Sequence, residues 1–125
     1  MTGVQTCALP ILLRSGAGDE VHGGPGDDLL RALGKDQGSD SLHGDEGNDT
    51  LMASDGDDLL SGGEGNDNAT SGGGNDTVLG DAGDDELHAG SGDDAVDGGD
   101  GFDRCNGGDG VDTLTRCELA KNAEN

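Results

Sequence analysis

From Lys35 to Thr115 one apolar side chain returns at every ninth residue: Leu42, Leu51, Leu60, Ala69, Val78, Leu87, Val96, Cys105 and Leu114. Leu30 opens the series, twelve residues before Leu42. A lone apolar position between two mostly polar ones predicts a very short strand whose middle side chain points inward. The intervening residues are as regular as the apolar ones. Written in units of nine, such as GDEGNDTLM (44–52) or GDAGDDELH (80–88), the fourth residue is always glycine: 26, 38, 47, 56, 65, 74, 83, 92, 101 and 110. The sixth is always aspartate. Glycine supplies the positive φ that a tight reversal needs, so positions one to six predict a turn and positions seven to nine a strand. Two units then close one coil of eighteen residues, and each turn lies over the turn two units away. Glycine at this density rules out helices.

Composition sharpens this picture. The 125 residues have room for one small domain, with 28 acidic against 6 basic residues and Phe102 as the one aromatic. A formal charge of −22 and so little apolar surface leave the chain by itself disordered, because self-repulsion and chain entropy outweigh burial. Folding therefore requires a cationic partner. Nucleic acid is excluded by charge, and no apolar run is long enough for a transmembrane segment.

The cation that suits the recurring oxygens is calcium, which takes six to eight oxygen ligands at about 2.3–2.6 Å. The candidate side chains are Asp28, Asp40, Asp49, Asp58, Asp67, Asp76, Asp85, Asp94, Asp103 and Asp112. Backbone carbonyls around Gly47, Gly56, Gly65, Gly74, Gly83, Gly92 and Gly101 are the candidate companions. One flank would pair Asp40, Asp58, Asp76, Asp94 and Asp112 in series. The other would pair Asp49, Asp67, Asp85 and Asp103, with Asp28 over Asp49 as the least secure member. That spacing gives about seven or eight calcium ions, whose charge would offset most of the −22. Zinc and copper do not suit the period, since imidazole and thiolate do not recur with it.

These residues carry a resemblance: GGxGxDxUx over residues 23–115 resembles the glycine-rich nonapeptide of the RTX (repeats-in-toxin), or haemolysin-type, calcium-binding family. The resemblance implies an all-β fold, a right-handed parallel β-roll or β-helix solenoid, with calcium between stacked turns. It also implies a secreted, extracellular protein that folds on calcium and serves a structural, stabilising or adhesive role. The alternative is the C-terminal repeat block of a larger secreted enzyme or toxin, such as a protease, lipase or haemolysin. No nucleophile–base pair separates from the repeat, so no enzyme is expected within these residues. An EF-hand fails on spacing and on the helices it needs.

Cys105 and Cys117 admit two readings, a disulfide that staples the last coil or a small buried hydrophobe and an unrelated thiol. The segment FDRCNGGDGVDTLTRCE resembles the C-terminal end of secreted RTX-like proteins with a paired cysteine, which favours the disulfide and an oxidising compartment.

Departures from the pattern carry information too. Ala32, Leu33 and Gly34 are a three-residue insertion that must bulge, and Lys35-Asp36 replaces the first two glycines of its unit with a looser turn. Asp45, Ser54 and Asp81 stand at second-glycine positions, where each adds or blocks a ligand. Phe102 and Val111 interrupt the Asp/Asn run at position five, and Ala69 thins the core. His22, His43 and His88 read as separate solvent-facing strand residues. The string MTGVQTCALPI resembles a translated sequencing adapter, so residues 1–11 are expected to be an assembly artefact and Cys7 carries no function. The rival reading makes LPILL a signal-peptide remnant. The expected divisions are an artefactual or disordered leader (1–14), a degenerate repeat or lead-in (15–22), the roll (23–115), and a cap or tail (116–125) ending in a turn or brief helix.

Overall fold

The computed structural model describes residues 11–13, 18–32 and 37–121. Expectations for residues 1–10, for residues 33–36 of the insertion and its following turn, and for the tail beyond Lys121 lie outside the described residues. Thirteen strands run through the described part: β1 (Ile11–Leu13), β2 (Glu20–Pro25), β3 (Leu29–Ala32), β4 (Ser41–Glu46), β5 (Thr50–Met52), β6 (Leu59–Glu64), β7 (Asn68–Gly73), β8 (Thr77–Ala82), β9 (Glu86–Ser91), β10 (Ala95–Asp97), β11 (Arg104–Asp109), β12 (Thr113–Thr115) and β13 (Leu119–Lys121). Odd strands form one sheet, β1-β3-β5-β7-β9-β11-β13, and even strands the other, β12-β10-β8-β6-β4-β2. All pairings are parallel, because every strand meets the strand one full coil away. The protein is a β-solenoid whose chain alternates between two facing sheets.

The ninefold apolar series is the interior. Val21, Leu42, Leu60, Val78, Val96 and Leu114 stack in register on the even sheet. Leu30, Leu51, Ala69, Leu87 and Cys105 stack on the odd one. All but Leu114 are buried, Ala69 included, so the sheets close around the small side chain. The core is a double file one side chain deep.

Several strands are longer than three residues. Thr77–Ala82, for example, continues through positions one to three of the next unit, leaving only positions four to six to turn the chain. Position one faces inward, as the buried Ala53, Ser71 and Ala89 do, and the in-register pairs resume at positions two and three. The second and fourth positions carry the positive φ. Gly63 has φ 106° and Gly65 129°, values at which a side chain is strained. A side chain on Gly65 would also fall onto the Gly47 carbonyl. At Asp45 and Asp81 the second-position φ drops to 78° and 75°, toward the left-handed well that aspartate tolerates.

The insertion costs no register. Val21 pairs with Leu42 and Leu30 with Leu51, each 21 residues apart where the pairs from Ser41 to Thr115 are 18. At the ends, Ile11–Leu13 pair with Leu30–Ala32, and one expectation is corrected: Leu119–Lys121 form a strand on Arg104–Asn106 instead of a turn or helix. Both satisfy backbone groups that an outermost coil otherwise leaves unpaired. Cys105 and Cys117 are joined in a disulfide, with α-carbons 5.9 Å apart. It holds the last turn onto the odd sheet.

Replacing Leu60 by alanine is expected to remove about 2–5 kcal/mol of stability, read as a shift in the urea midpoint, because the thin core cannot collapse around the gap. Replacing Cys117 by serine opens a twelve-residue loop and should cost about 3 kcal/mol in the oxidised protein. An unchanged midpoint would show that the staple closes a segment already ordered.

Candidate metal centre

The sixth-position aspartates form two columns, one along each edge of the roll. In each, an aspartate backbone N–H donates to Oδ1 of the aspartate one coil further on. On the first flank the chain of bonds runs Asp19 to Asp40 (3.0 Å), Asp40 to Asp58 (2.8 Å), Asp58 to Asp76 (2.8 Å), Asp76 to Asp94 (2.7 Å) and Asp94 to Asp112 (3.0 Å). On the second it runs Asp28 to Asp49 (2.7 Å), Asp49 to Asp67 (2.7 Å), Asp67 to Asp85 (2.8 Å) and Asp85 to Asp103 (2.9 Å). The ten predicted aspartates are thus brought together in the two predicted series. Asp28 is as well aligned as the others, because the insertion leaves its strand in register.

Each column also has a terminal member that the repeat pattern missed. Asp19 heads the first, at position six of the degenerate unit that has Val21 at position eight. Glu118 closes the second: its Oε2 accepts from the Asp103 N–H at 2.7 Å. It lies fifteen residues on instead of eighteen, so no search at a fixed period finds it, and its extra methylene makes up part of the reach.

Oδ1 is satisfied by the neighbouring peptide, but Oδ2 is not. Asp49, Asp58, Asp67, Asp85, Asp94, Asp103 and Asp112 are all buried, and Oδ2 of each has no hydrogen-bond partner. Asp76 sits beside Ser71, whose hydroxyl donates to the Ala89 carbonyl at 2.8 Å. A buried carboxylate without a counter-charge costs several kcal/mol, so these oxygens call for a proton or a cation. Burial, reinforced by the carboxylates stacked above and below, pushes Asp49 and Asp58 up to about 6 and Asp85 up to about 7. Burial raises Asp28, Asp67, Asp76, Asp94 and Asp103 as well.

Around Oδ2 the geometry suits a hard cation. A side chain on Gly62 would meet Asp67 Oδ2 and would lie 2.8 Å from the Gly80 carbonyl. Gly44, Gly80 and Gly98 repeat this pairing of a carboxylate with a first-position carbonyl. These are all-oxygen cradles that a Cβ would fill. The spacing of adjacent strands, about 4.8 Å, is close to twice a calcium–oxygen bond. The first-position carbonyls were not among the predicted companions. The predicted fourth-position carbonyls, from Gly47 through Gly92, point instead along the stack at the glycine one coil on. The two edges also differ: position one is glycine along the Asp49 column but Ala53, Ser71 and Ala89 along the Asp58 column, which returns to glycine only at Gly107 beside Asp112.

Position five forms a third type of column, exposed to solvent. Asp27, Asn48, Asn66 and Asp84 each accept through Oδ1 from the N–H of position five in the next coil, ending at Phe102. Asp57, Asn75 and Asp93 do the same on the other edge, ending at Val111. Phe102 and Val111 are the last recipients and need no acceptor of their own.

One expectation about the histidines is corrected. His22 and His43 are not separate: the 21-residue coil places them in register, and their rings stack with centroids 4.6 Å apart. His88 stands apart from them, beside Glu86.

Burial lifts Asp49 and Asp58 from 3.8 to about 6 and Asp85 to about 7, so without metal the folded state holds more protons across that interval. Stability of the metal-free roll must then fall as pH rises from about 4 to about 7. Circular dichroism in a chelator should show the strand signal strongest near pH 4 and fading toward pH 7.5. A signal that grows with pH in chelator would contradict the burial of these carboxylates.

Four stretches, residues 15–34, 36–69, 70–105 and 80–114, the last two overlapping, match the family model of the RTX calcium-binding nonapeptide repeat. No curated protein and no solved structure matches the chain.

Proposed function

Because the chain belongs to the RTX calcium-binding nonapeptide repeat family, we propose that it is a secreted β-roll that folds when calcium fills the two aspartate columns. The observation that carries this reading is the series of buried Oδ2 atoms without hydrogen-bond partners. Asp28 to Asp103 on one edge, and Asp40 to Asp112 on the other, would hold about seven or eight ions, with Asp19 and Glu118 as additional end ligands. Calcium supplies the positive charge that the buried carboxylates lack. The residues themselves do the positioning: from Asp40 and Asp49 onward, Oδ1 is held by the aspartate N–H of the preceding coil, which aims Oδ2 into the turn. Without the ion, like charges stacked one coil apart oppose folding, so binding free energy becomes folding free energy.

Export is supported by the Cys105–Cys117 bond, which persists in an oxidising compartment, and by weak extracellular calcium modules being saturated where the ion is abundant. The role is structural: a rigid spacer or adhesive surface that assembles after export.

Titrating calcium into metal-free protein at pH 7.5 should produce a cooperative gain of strand signal, with calorimetry counting the ions. No gain at millimolar calcium would end the proposal. Two substitutions sharpen the test. Asp67→Asn removes a charge shared by two successive turns and should raise the calcium midpoint at least about tenfold. Asp57→Asn, in the exposed position-five column, keeps the acceptor for Asn75 N–H and should leave the midpoint nearly unchanged.

A further inference from the structure

The stacked histidines are the one concentration of nitrogen ligands found among the described residues, and they stand apart from both aspartate columns. Glu20 and His22 lie on β2, the outermost strand of the even sheet, and His43 lies beside His22 on β4. Val21 and Leu42 point inward between them, so alternation puts Glu20, His22 and His43 together on the outer face. One ligand atom from each of the three falls within 4.8 Å of the others. His22 Nε2 is 3.3 Å from Glu20 Oε1. Its Nδ1 is 3.3 Å from Asp45 Oδ2.

We propose that Glu20, His22 and His43 form a second metal site, for a borderline divalent cation such as zinc, with Asp45 as the positioning residue for His22. Calcium is the wrong ion here, because two of the three ligands are imidazoles. Zinc takes imidazole nitrogens and a carboxylate oxygen at about 2.0–2.2 Å, and a fourth, open position suits a site at the surface. In a tetrahedral centre the two nitrogens stand about 3.3 Å apart, so the two stacked rings draw together and turn to aim both lone pairs at one ion.

Asp45 gives the site a built character. A histidine that ligates a metal commonly donates its other ring N–H to a carboxylate, which fixes the tautomer and the ring plane. With Nδ1–H donated to Asp45, Nε2 of His22 presents a lone pair toward Glu20, and a cation resolves what otherwise are two acceptors facing each other. Asp45 also occupies a second-glycine position at φ 78°, a conformation that glycine adopts more easily. What this aspartate brings to the site is its carboxylate on His22 Nδ1.

The test uses the full chain in saturating calcium, with zinc chloride as the calorimetric probe and cobalt(II) absorption to report coordination. One equivalent of zinc is expected, with tetrahedral cobalt bands. His22→Ala and His43→Ala should each weaken zinc at least tenfold, and His88→Ala should not. Asp45→Gly restores the residue that the backbone favours, so the calcium-induced strand signal persists, while zinc affinity falls about ten- to hundredfold. Zinc that binds only when calcium is withheld is held by the aspartate columns and overturns the proposal. Affinity unaltered in His43→Ala or in Asp45→Gly overturns it as well.

Discussion

From Asp49 to Asp112, the buried aspartates of this roll have one oxygen held by the peptide one coil back and the other turned into the turn. That unequal treatment of two oxygens governs the rest of the architecture. The Oδ1 bond sets the stacking distance and links every coil to the next, so no coil can be loosened alone. The buried Oδ2 atom, without a hydrogen-bond partner, calls for a proton or a cation. Along the Asp49 column the first glycine leaves open the space in front of Oδ2 that a Cβ would occupy; the fourth is required because its φ near 130° and the carbonyl beneath it exclude any side chain. The sequence repeats because the electrostatic problem repeats.

The interior cannot carry the fold alone. Two files of single aliphatic side chains, with an alanine at position 69 and a cysteine at 105, bury little apolar surface for a chain of this charge. Most small domains are held by a core and tuned by their charges. Here the order is inverted, and the edges hold the middle.

Much of this was legible beforehand because period and chemistry coincide. Gly, Asp and Leu at fixed places predicted the coil, the two edges and the aspartate series. What escaped were features that obey distance in space and not distance in sequence. Glu118 acts one coil beyond Asp103 but only fifteen residues later. His22 and His43 looked out of step at 21 residues, yet they are neighbours because the insertion leaves the strands in register. Strand length was underread at positions one to three, since glycine there suggests a turn while the backbone still pairs across the sheet. The position-five columns were hidden in a run of Asp and Asn that turn chemistry alone appeared to account for.

The 21-residue coil has a further consequence. Nearly identical coils are interchangeable, and a chain pairing with itself could slide by one whole coil and still match leucine to leucine and aspartate to aspartate. The aspartates alone therefore do not say where the count begins. One coil longer than the rest breaks that degeneracy: a shifted alignment would put the three surplus residues beneath a strand of the wrong length. Near the far end, the Cys105–Cys117 bond closes a loop that a slipped thread cannot close in the same place. The irregular residues give the polymer an origin and a stop, so that a repeating sequence specifies one structure and not a family of offsets.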